Sequence, residues 1–150
     1  MTPFFTIGYE KATSAAVLDS LKQAKVKVLV DVRAVSSSRR PGFSKRQLAA
    51  GLDDNGIDYL HLRDLGTPKE GRLAARSGDL ATLFKIYEKH LKTPQAREEL
   101  DELTTLVRAG RRVCLLCYER DPHVCHRRRI AELLSERTGA RARDLIPALV

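Results

Sequence analysis

The expected fold is decided by the stretch Leu115-Leu116-Cys117-Tyr118-Glu119-Arg120-Asp121-Pro122-His123-Val124-Cys125-His126-Arg127-Arg128-Arg129-Ile130. Its first residues are apolar and typical of the end of a buried strand, and the polar residues after Cys117 indicate a short loop. From Cys125 the pattern predicts a helix that runs to residue 137. Core packing does not require the mixture of cysteines, histidines, acids and arginines found here. The stretch therefore predicts a strand, a loop and a helix that together carry a functional site.

The composition indicates a globular protein with anionic partners. The 150 residues are 43% hydrophobic and 31% charged, which suits a single domain spanning residues 1–150. A net charge of +8 favours a phosphorylated small molecule, a nucleotide or nucleic acid, although a basic surface that only aids solubility would look the same. No apolar run approaches the ~18 residues that span a bilayer, and no secretory signal is recognisable, so no membrane contact and a cytoplasmic location are expected.

Strand and helix patterns alternate along the chain. Strands are predicted at residues 4–8, 26–32, 57–62, 113–117 and 145–150, and the last is expected at a sheet edge because it contains a proline. Helices are predicted to begin at Thr13 or Ser14, at Ser44 with Gln47 completing a capping box, at Asp79 and at Thr93. Residues 63–78 are predicted to be a long, glycine-rich connection. The alternation predicts a three-layer α/β fold, with a mostly parallel sheet of about five strands and helices on both faces.

The ends of the predicted strands bring polar segments to one rim. Ligands of parallel α/β sheets bind outside the carboxyl ends of the strands. This rule places together Gly8-Tyr9, residues 31–33, the basic segment 33–45, residues 63–78 and residues 117–127. The basic segment has four bases and no acid. We therefore expect a positively charged hollow at this rim.

The triplet Cys125-His126-Arg127 is predicted to lie where the loop enters the last long helix. Unpaired backbone N–H groups and the helix dipole would favour a phosphate or carboxylate there, and would lower the pKa of Cys125 enough for it to act as a nucleophile. The same pattern also fits a buried cysteine that only caps the helix, and an Arg127 that is only a solvated charge.

The other candidate residues lie at strand ends. Asp31 and Arg33 leave their strand on the same face, so Arg33 could bind an anion while Asp31 orients it or acts as a base; a structural ion pair fits equally well. Glu119 could be a general acid or base, or could tether arginines of its loop. The predicted catalytic residues are Cys125, His126, Glu119 and Asp31, and the predicted ligand-binding residues are Tyr9, Arg33, Arg39 and Arg127.

Several motifs resemble the domain of unknown function 488 family. They are Thr6-Ile7-Gly8-Tyr9, residues 28–33, residues 38–45, Tyr59-Leu60-His61-Leu62 followed by Leu65-Gly66, residues 115–119, and Asp121-Pro122 with Cys125-His126-Arg127. The resemblance covers nearly the whole chain. It departs at Ser36, where members usually carry a proline, and this affects the path of the basic segment. The resemblance implies an α/β fold and a shared pocket, and it implies no particular activity.

Two hypotheses of function follow from these residues. The first is a pocket that binds a phosphorylated or nucleotide-like anion, with catalysis left open. The second is a nucleic-acid-binding module that uses the same basic rim, although aromatic residues for base stacking are few. Substrate identity, reaction type and oligomeric state are not predicted.

Two further alternatives have less support. The Asp31-Val32-Arg33 strand end looks like that of rhodanese sulfurtransferases, but no glycine follows Cys117 to allow their tight loop. A zinc site could use Cys117, Cys125, His126 and His123, but their spacing matches no standard zinc motif. The neighbouring residues Cys125 and His126 are also not expected to converge on one ion. No metal and no cofactor are therefore predicted.

Overall fold

The computed structural model describes residues 1–149, and a five-stranded, all-parallel sheet lies at its centre. The strands are β1 (Phe4–Gly8), β2 (Val28–Asp31), β3 (Asp58–His61), β4 (Val113–Cys117) and β5 (Ala142–Leu145). The helices are α1 (Ser14–Gln23), α2 (Lys45–Asp53), α3 (Lys69–Arg76), α4 (Leu80–His90), α5 (Pro94–Arg108) and α6 (Arg127–Thr138). Short 3-10 turns cover Arg63–Leu65 and Pro122–Val124. No helix among residues 1–149 is long and apolar enough to cross a membrane.

Two apolar clusters cover the two faces of the sheet, so the predicted three-layer α/β fold is confirmed. On one face, α1 and α2 pack against alternate strand residues; on the other, α4, α5 and α6 pack against the residues in between. The first cluster includes Phe5, Ile7, Val17, Leu21, Leu29, Leu48 and Leu52. The second includes Phe4, Val30, Tyr87, Leu103, Leu115 and Leu134. Strands covered on both faces are almost wholly apolar, which explains the continuous hydrophobic runs in β1, β2 and β4.

The order of the strands determines where a ligand site forms. The sheet order is β3-β2-β4-β1-β5, so the connections from β1 through β2 to β3 run towards one edge. The connection from β4 to β5 runs towards the other edge, on the opposite face. The neighbours β2 and β4 are therefore where the connections diverge, and a crevice is expected beyond their carboxyl ends.

Most predicted helix starts are confirmed, and one is wrong in its detail. Thr13, Asp79 and Thr93 cap α1, α4 and α5 through their side chains. Ser44 lies at the start of α2 but makes no capping hydrogen bond. Its hydroxyl donates to Ser38 O (2.9 Å) and accepts from Ser38 N (3.1 Å), while Gln47 Oε1 accepts from Gly42 N (3.0 Å). The predicted capping box is replaced by bonds that fold the basic segment back on itself.

One predicted connection and the bounds of two predicted elements are also wrong. Residues 63–78 are not a plain connection, because they contain α3. The last helix begins at Arg127, since Cys125 is extended and closes the 3-10 turn before it. The edge strand covers residues 142–145, ahead of Pro147; residues 146–149 form no strand, and Val150 lies outside the described residues.

Candidate functional site

A cavity of about 550 Å³ lies at the carboxyl ends of the strands. Segments that follow β1, β2 and β4 contribute to its wall, and α3 and the start of α4 close another side. The polar and aromatic residues that line it are Tyr9, Glu10, Arg33, Thr67, Arg72, Arg76, Tyr118, Glu119 and His126, together with Cys117. The predicted rim therefore encloses a cavity.

Gly8 allows the segment after β4 to lie directly against the end of β1. A Cβ atom at Gly8 would lie 1.7 Å from the carbonyl oxygen of Glu119, closer than any real contact. Two hydrogen bonds hold the same segments together: Tyr9 N donates to Cys117 O (3.3 Å) and Glu10 N donates to Tyr118 O (2.8 Å). Only glycine permits this approach, which presents Cys117 and Glu119 to the cavity.

Replacing Gly8 with alanine is expected to destabilise the protein and displace Glu119. The added methyl group meets backbone atoms, which cannot rotate away, so a cost of about 1–3 kcal/mol is expected from overpacking. Gly51→Ala is the control, since a Cβ there makes only an ordinary contact, 3.8 Å from Leu18. Urea denaturation checks both changes. Equal stability of the Gly8→Ala and Gly51→Ala variants would contradict the close approach.

Cys117, Glu119, Cys125 and His126 form a cluster at the floor of the cavity. Cys117 Sγ lies 3.2 Å from Glu119 Oε2 and 3.6 Å from His126 Nδ1. Cys125 Sγ lies 3.8 Å from the same His126 nitrogen, and all three sulfur and nitrogen atoms lie within 4.8 Å of one another. The expectation that Cys125 and His126 would not converge is wrong: the helix begins only at Arg127, so the two residues do not share a helical turn, and their Sγ and Nδ1 atoms lie 3.8 Å apart.

The hydrogen bond of His126 to the main chain sets the orientation of its ring. His126 Nε2 donates to the carbonyl oxygen of Val32 (2.8 Å), at the end of β2. A carbonyl can only accept, so Nε2 carries a hydrogen, and Nδ1 is the atom that faces the two sulfurs. The side chain of His126 is buried.

Burial and mutual charge shift the pKa values of this cluster. Burial, together with the negative charge of Cys125, raises the pKa of Glu119 to about 7. Burial also raises the pKa of Cys117. Burial alone would raise the pKa of Cys125 as well, but the hydrogen bond from Cys117 and the charges of His126 and Arg127 hold it well below its usual value. Of the two thiols, Cys125 is the one whose anionic form its surroundings favour.

Asp31 and Arg33 form a buried ion pair beside the cavity. Arg33 donates to both carboxylate oxygens of Asp31 (2.9 and 2.7 Å), and its remaining nitrogen donates to Tyr9 Oη (3.2 Å) and Phe43 O (2.8 Å). Tyr59 donates to Asp31 from the other side (2.6 Å). All three nitrogens of the Arg33 guanidinium are therefore used within the protein. This pair joins β2, Tyr9 and the basic segment.

Four of the eight predicted site residues, Tyr9, Arg33, Glu119 and His126, line the cavity. Asp31 and Cys125 are buried and contact two of these, Arg33 and His126. Arg39 is exposed and does not line the cavity. Arg127 is fully buried and donates to the carbonyl oxygens of Glu119 (2.6 Å) and Arg120 (3.4 Å). The anion-binding roles of Arg39 and Arg127 stay predictions.

Sequence reasoning missed Thr67, Arg72 and Arg76, which line the cavity. Arg72 and Arg76 are four residues apart and lie on the same face of α3. That helix buries only Gly71 and Ala74, so it has no large apolar residue at helical spacing to reveal it. The one signal in the sequence that could have indicated this helix face is the spacing of four residues between Arg72 and Arg76.

The fold and the site define a class of protein: a doubly wound, parallel α/β domain with a thiol, imidazole and carboxyl cluster at its strand ends. The chain belongs to the family described as Domain of unknown function DUF488, whose model matches residues 13–134. The resemblance predicted from the motifs is therefore confirmed. Comparison with curated proteins and with solved structures found no match.

Proposed function

We propose that the chain is an enzyme whose strand-end pocket binds a phosphorylated or nucleotide-like small molecule. The observation that supports this most directly is that one cavity is lined both by Arg72 and Arg76 of α3 and by Cys117, Glu119 and His126. A substrate that spans both would bind its anionic group at the arginines and present its reacting atom to the thiol, imidazole and carboxyl groups.

The size and charge of the cavity support a small anionic ligand. A volume of about 550 Å³ falls within the ~300–1,000 Å³ typical of small-molecule sites. Arg76 is exposed, and Arg72 uses one nitrogen to donate to Thr67 O (2.8 Å). Each guanidinium carries five N–H donors in a planar fork that matches a phosphate group.

Apolar surface beside the arginines favours a ligand that also carries a flat ring. Val35 and Tyr118 line the cavity and are 50% and 43% exposed, so both offer apolar surface to a ligand. The Tyr118 ring contacts the edge of Tyr9, with 5.4 Å between ring centroids. An aromatic face next to a cationic group suits a nucleobase or similar ring with an attached phosphate.

Within this proposal, the predicted residues divide into two kinds. Glu119 lines the cavity beside Cys117 and is the candidate acid or base. Asp31, Arg33 and Arg127 are positioning residues, because their polar atoms bond to protein groups that carry the site.

Phosphate-dependent binding tests the proposal. Calorimetry with inorganic phosphate and with adenosine monophosphate is expected to detect binding to the wild-type protein. The double variant Arg72→Ala/Arg76→Ala should bind at least about tenfold more weakly, because a hydrogen bond to a charged group contributes about 1.5–3 kcal/mol.

The matched control is Arg141→Ala/Arg143→Ala, which removes two exposed arginines beside the amino end of β1. It makes the same change in net charge and is expected to keep the wild-type affinity. Equal weakening by both double variants would mean that only net charge matters. Absence of binding in the wild type would contradict the proposal.

Nucleic acid is the second candidate ligand, and the exposed arginine and lysine side chains of the rim favour it. Arg39, Lys45 and Arg46 are all exposed, and no acid lies between Arg33 and Arg46. Filter binding across a salt series distinguishes this candidate, because phosphate contacts make the logarithm of affinity fall linearly with the logarithm of salt concentration. A flat dependence would exclude it.

A further inference from the structure

We propose that Cys117, Cys125 and His126 bind a zinc ion whose fourth coordination position opens into the cavity. This site goes beyond the proposed function and does not depend on the arginines of α3. The three residues were possible zinc ligands from the sequence, but their spacing along the chain matches no standard zinc motif.

The distances match those of a tetrahedral zinc site. Zinc lies about 2.3 Å from a cysteine sulfur and about 2.0–2.1 Å from a histidine nitrogen, so ligand atoms at tetrahedral angles lie about 3.6 Å apart for sulfur and nitrogen. Cys117 Sγ and Cys125 Sγ lie 3.6 and 3.8 Å from His126 Nδ1. The three ligand atoms also lie within 4.8 Å of one another, so one ion can reach them all with small side-chain rotations.

The hydrogen bond of His126 to Val32 is the kind that supports a metal ligand. Metal-binding histidines commonly donate their other ring nitrogen to a carbonyl or carboxylate, which fixes the ring and makes the ligating nitrogen more basic. His126 Nε2 donates to Val32 O at 2.8 Å, and Nδ1 faces the sulfurs. Nδ1 is therefore the nitrogen that is available to an ion.

The ligand set selects the type of metal. Two sulfurs and one imidazole nitrogen favour zinc over magnesium or calcium, which require oxygen ligands. The three side chains are all buried, at 4%, 1% and 6% exposure, so the ion would be protected from exchange with solvent. A zinc ion would also offset the cost of burying two thiolates side by side.

The fourth position distinguishes a reactive zinc site from a purely structural one. Cys117 and His126 line the cavity, whereas Cys125 is 1% exposed and does not, so we assign the fourth position to the side of the cavity. Glu119 lies on this side, with Oε2 3.2 Å from Cys117 Sγ. Three protein ligands with one open position, and a carboxylate beside it, are the arrangement in which zinc activates a bound water molecule.

Metal analysis of the full-length chain tests the site. Protein produced with zinc in the medium and purified under reducing conditions is expected to contain about one zinc ion per chain. Cys117→Ser, Cys125→Ser and His126→Ala should each lose most of the metal. Cys114→Ala is the matched control, since this cysteine is buried in the core of the sheet and should keep the full content.

A second measurement begins with the wild-type protein, so it does not depend on how well the variants of the three ligands fold. Cobalt added to the metal-free wild-type protein should produce thiolate-to-cobalt charge-transfer bands and the visible absorption of a tetrahedral ion. Glu119→Ala should keep both the bands and the zinc content, because Glu119 is placed beside the open position and not among the ligands. Loss of metal in that variant would overturn the open position.

Failure of this site can be told apart from failure of anion binding. The Arg72→Ala/Arg76→Ala variant should keep its zinc, and metal content is measured without any substrate. A wild-type protein with no zinc and no cobalt bands would overturn the site. The Cys117 and Cys125 pair would then be thiols alone, whatever the calorimetry shows for phosphate.

Discussion

Replacing Asp31 with alanine is expected to lower the free energy of unfolding by about 3–5 kcal/mol, because the change breaks a buried ion pair. Asp31 is fully buried, and Arg33 is 5% exposed. Removing the carboxylate leaves a largely buried guanidinium without its counter-ion. It also removes the acceptor of the Tyr59 hydroxyl (2.6 Å).

Most of the expected loss in the free energy of unfolding of Asp31→Ala comes from the unpaired charge of Arg33. Two further variants separate this contribution from that of the lost contacts. The double variant Asp31→Ala/Arg33→Met should be more stable than Asp31→Ala alone, because the buried cation is also gone. Asp58→Ala is the exposed control: its pair with Arg111 lies at the surface and should contribute less than about 1 kcal/mol. Urea denaturation measures all three, and a cost at Asp31 no larger than at Asp58 would contradict the buried pair.

Replacing Arg127 with methionine is expected to lower the free energy of unfolding by about 2–4 kcal/mol and to loosen the segment that carries Glu119. Arg127 is fully buried, and its guanidinium donates to Glu119 O and Arg120 O. Methionine fills much of the volume but leaves both carbonyl oxygens without these donors, at about 1–3 kcal/mol for each buried group.

Amide hydrogen exchange distinguishes this positioning role from a general loss of stability. Glu10 N donates to Tyr118 O, so its protection should fall more in Arg127→Met than that of Leu29 at the centre of β2. Arg128→Met is the neighbouring control; this half-buried side chain bonds to His123 O and packs over Phe84, and its loss should cost less than about 1 kcal/mol. Unchanged exchange at Glu10 in Arg127→Met would show that Arg127 does not hold the segment.

Local chemistry made parts of the fold predictable. The nearly continuous apolar run that becomes β2 suits a strand buried on both faces, so it predicts a parallel sheet covered by helices on both sides. Thr13, Asp79 and Thr93 cap helices with their own side chains, within three residues of the amide that they bind. Interactions that close within one turn can be read from neighbouring residues alone.

The errors arose where distant contacts override local preference. Ser44 and Gln47 have the spacing of a capping box, but Ser38 and Gly42 compete for the same side-chain atoms. Helix α3 has no apolar stripe, because it packs through the small residues Gly71 and Ala74. Hydrophobic spacing alone cannot reveal such a helix.

The sequence by itself determined the fold class and placed four of the side chains that line the cavity, Tyr9, Arg33, Glu119 and His126, at the strand ends. Strand alternation and the strand-end rule depend only on the order of elements. Only the tertiary structure decided how those side chains are used. It turned Arg33 and Arg127 inward onto protein acceptors, brought Arg72 and Arg76 to the cavity, and set His126 Nδ1 between two sulfurs. Side-chain partners from different elements depend on distances across the sheet, and spacing along the chain does not contain those distances.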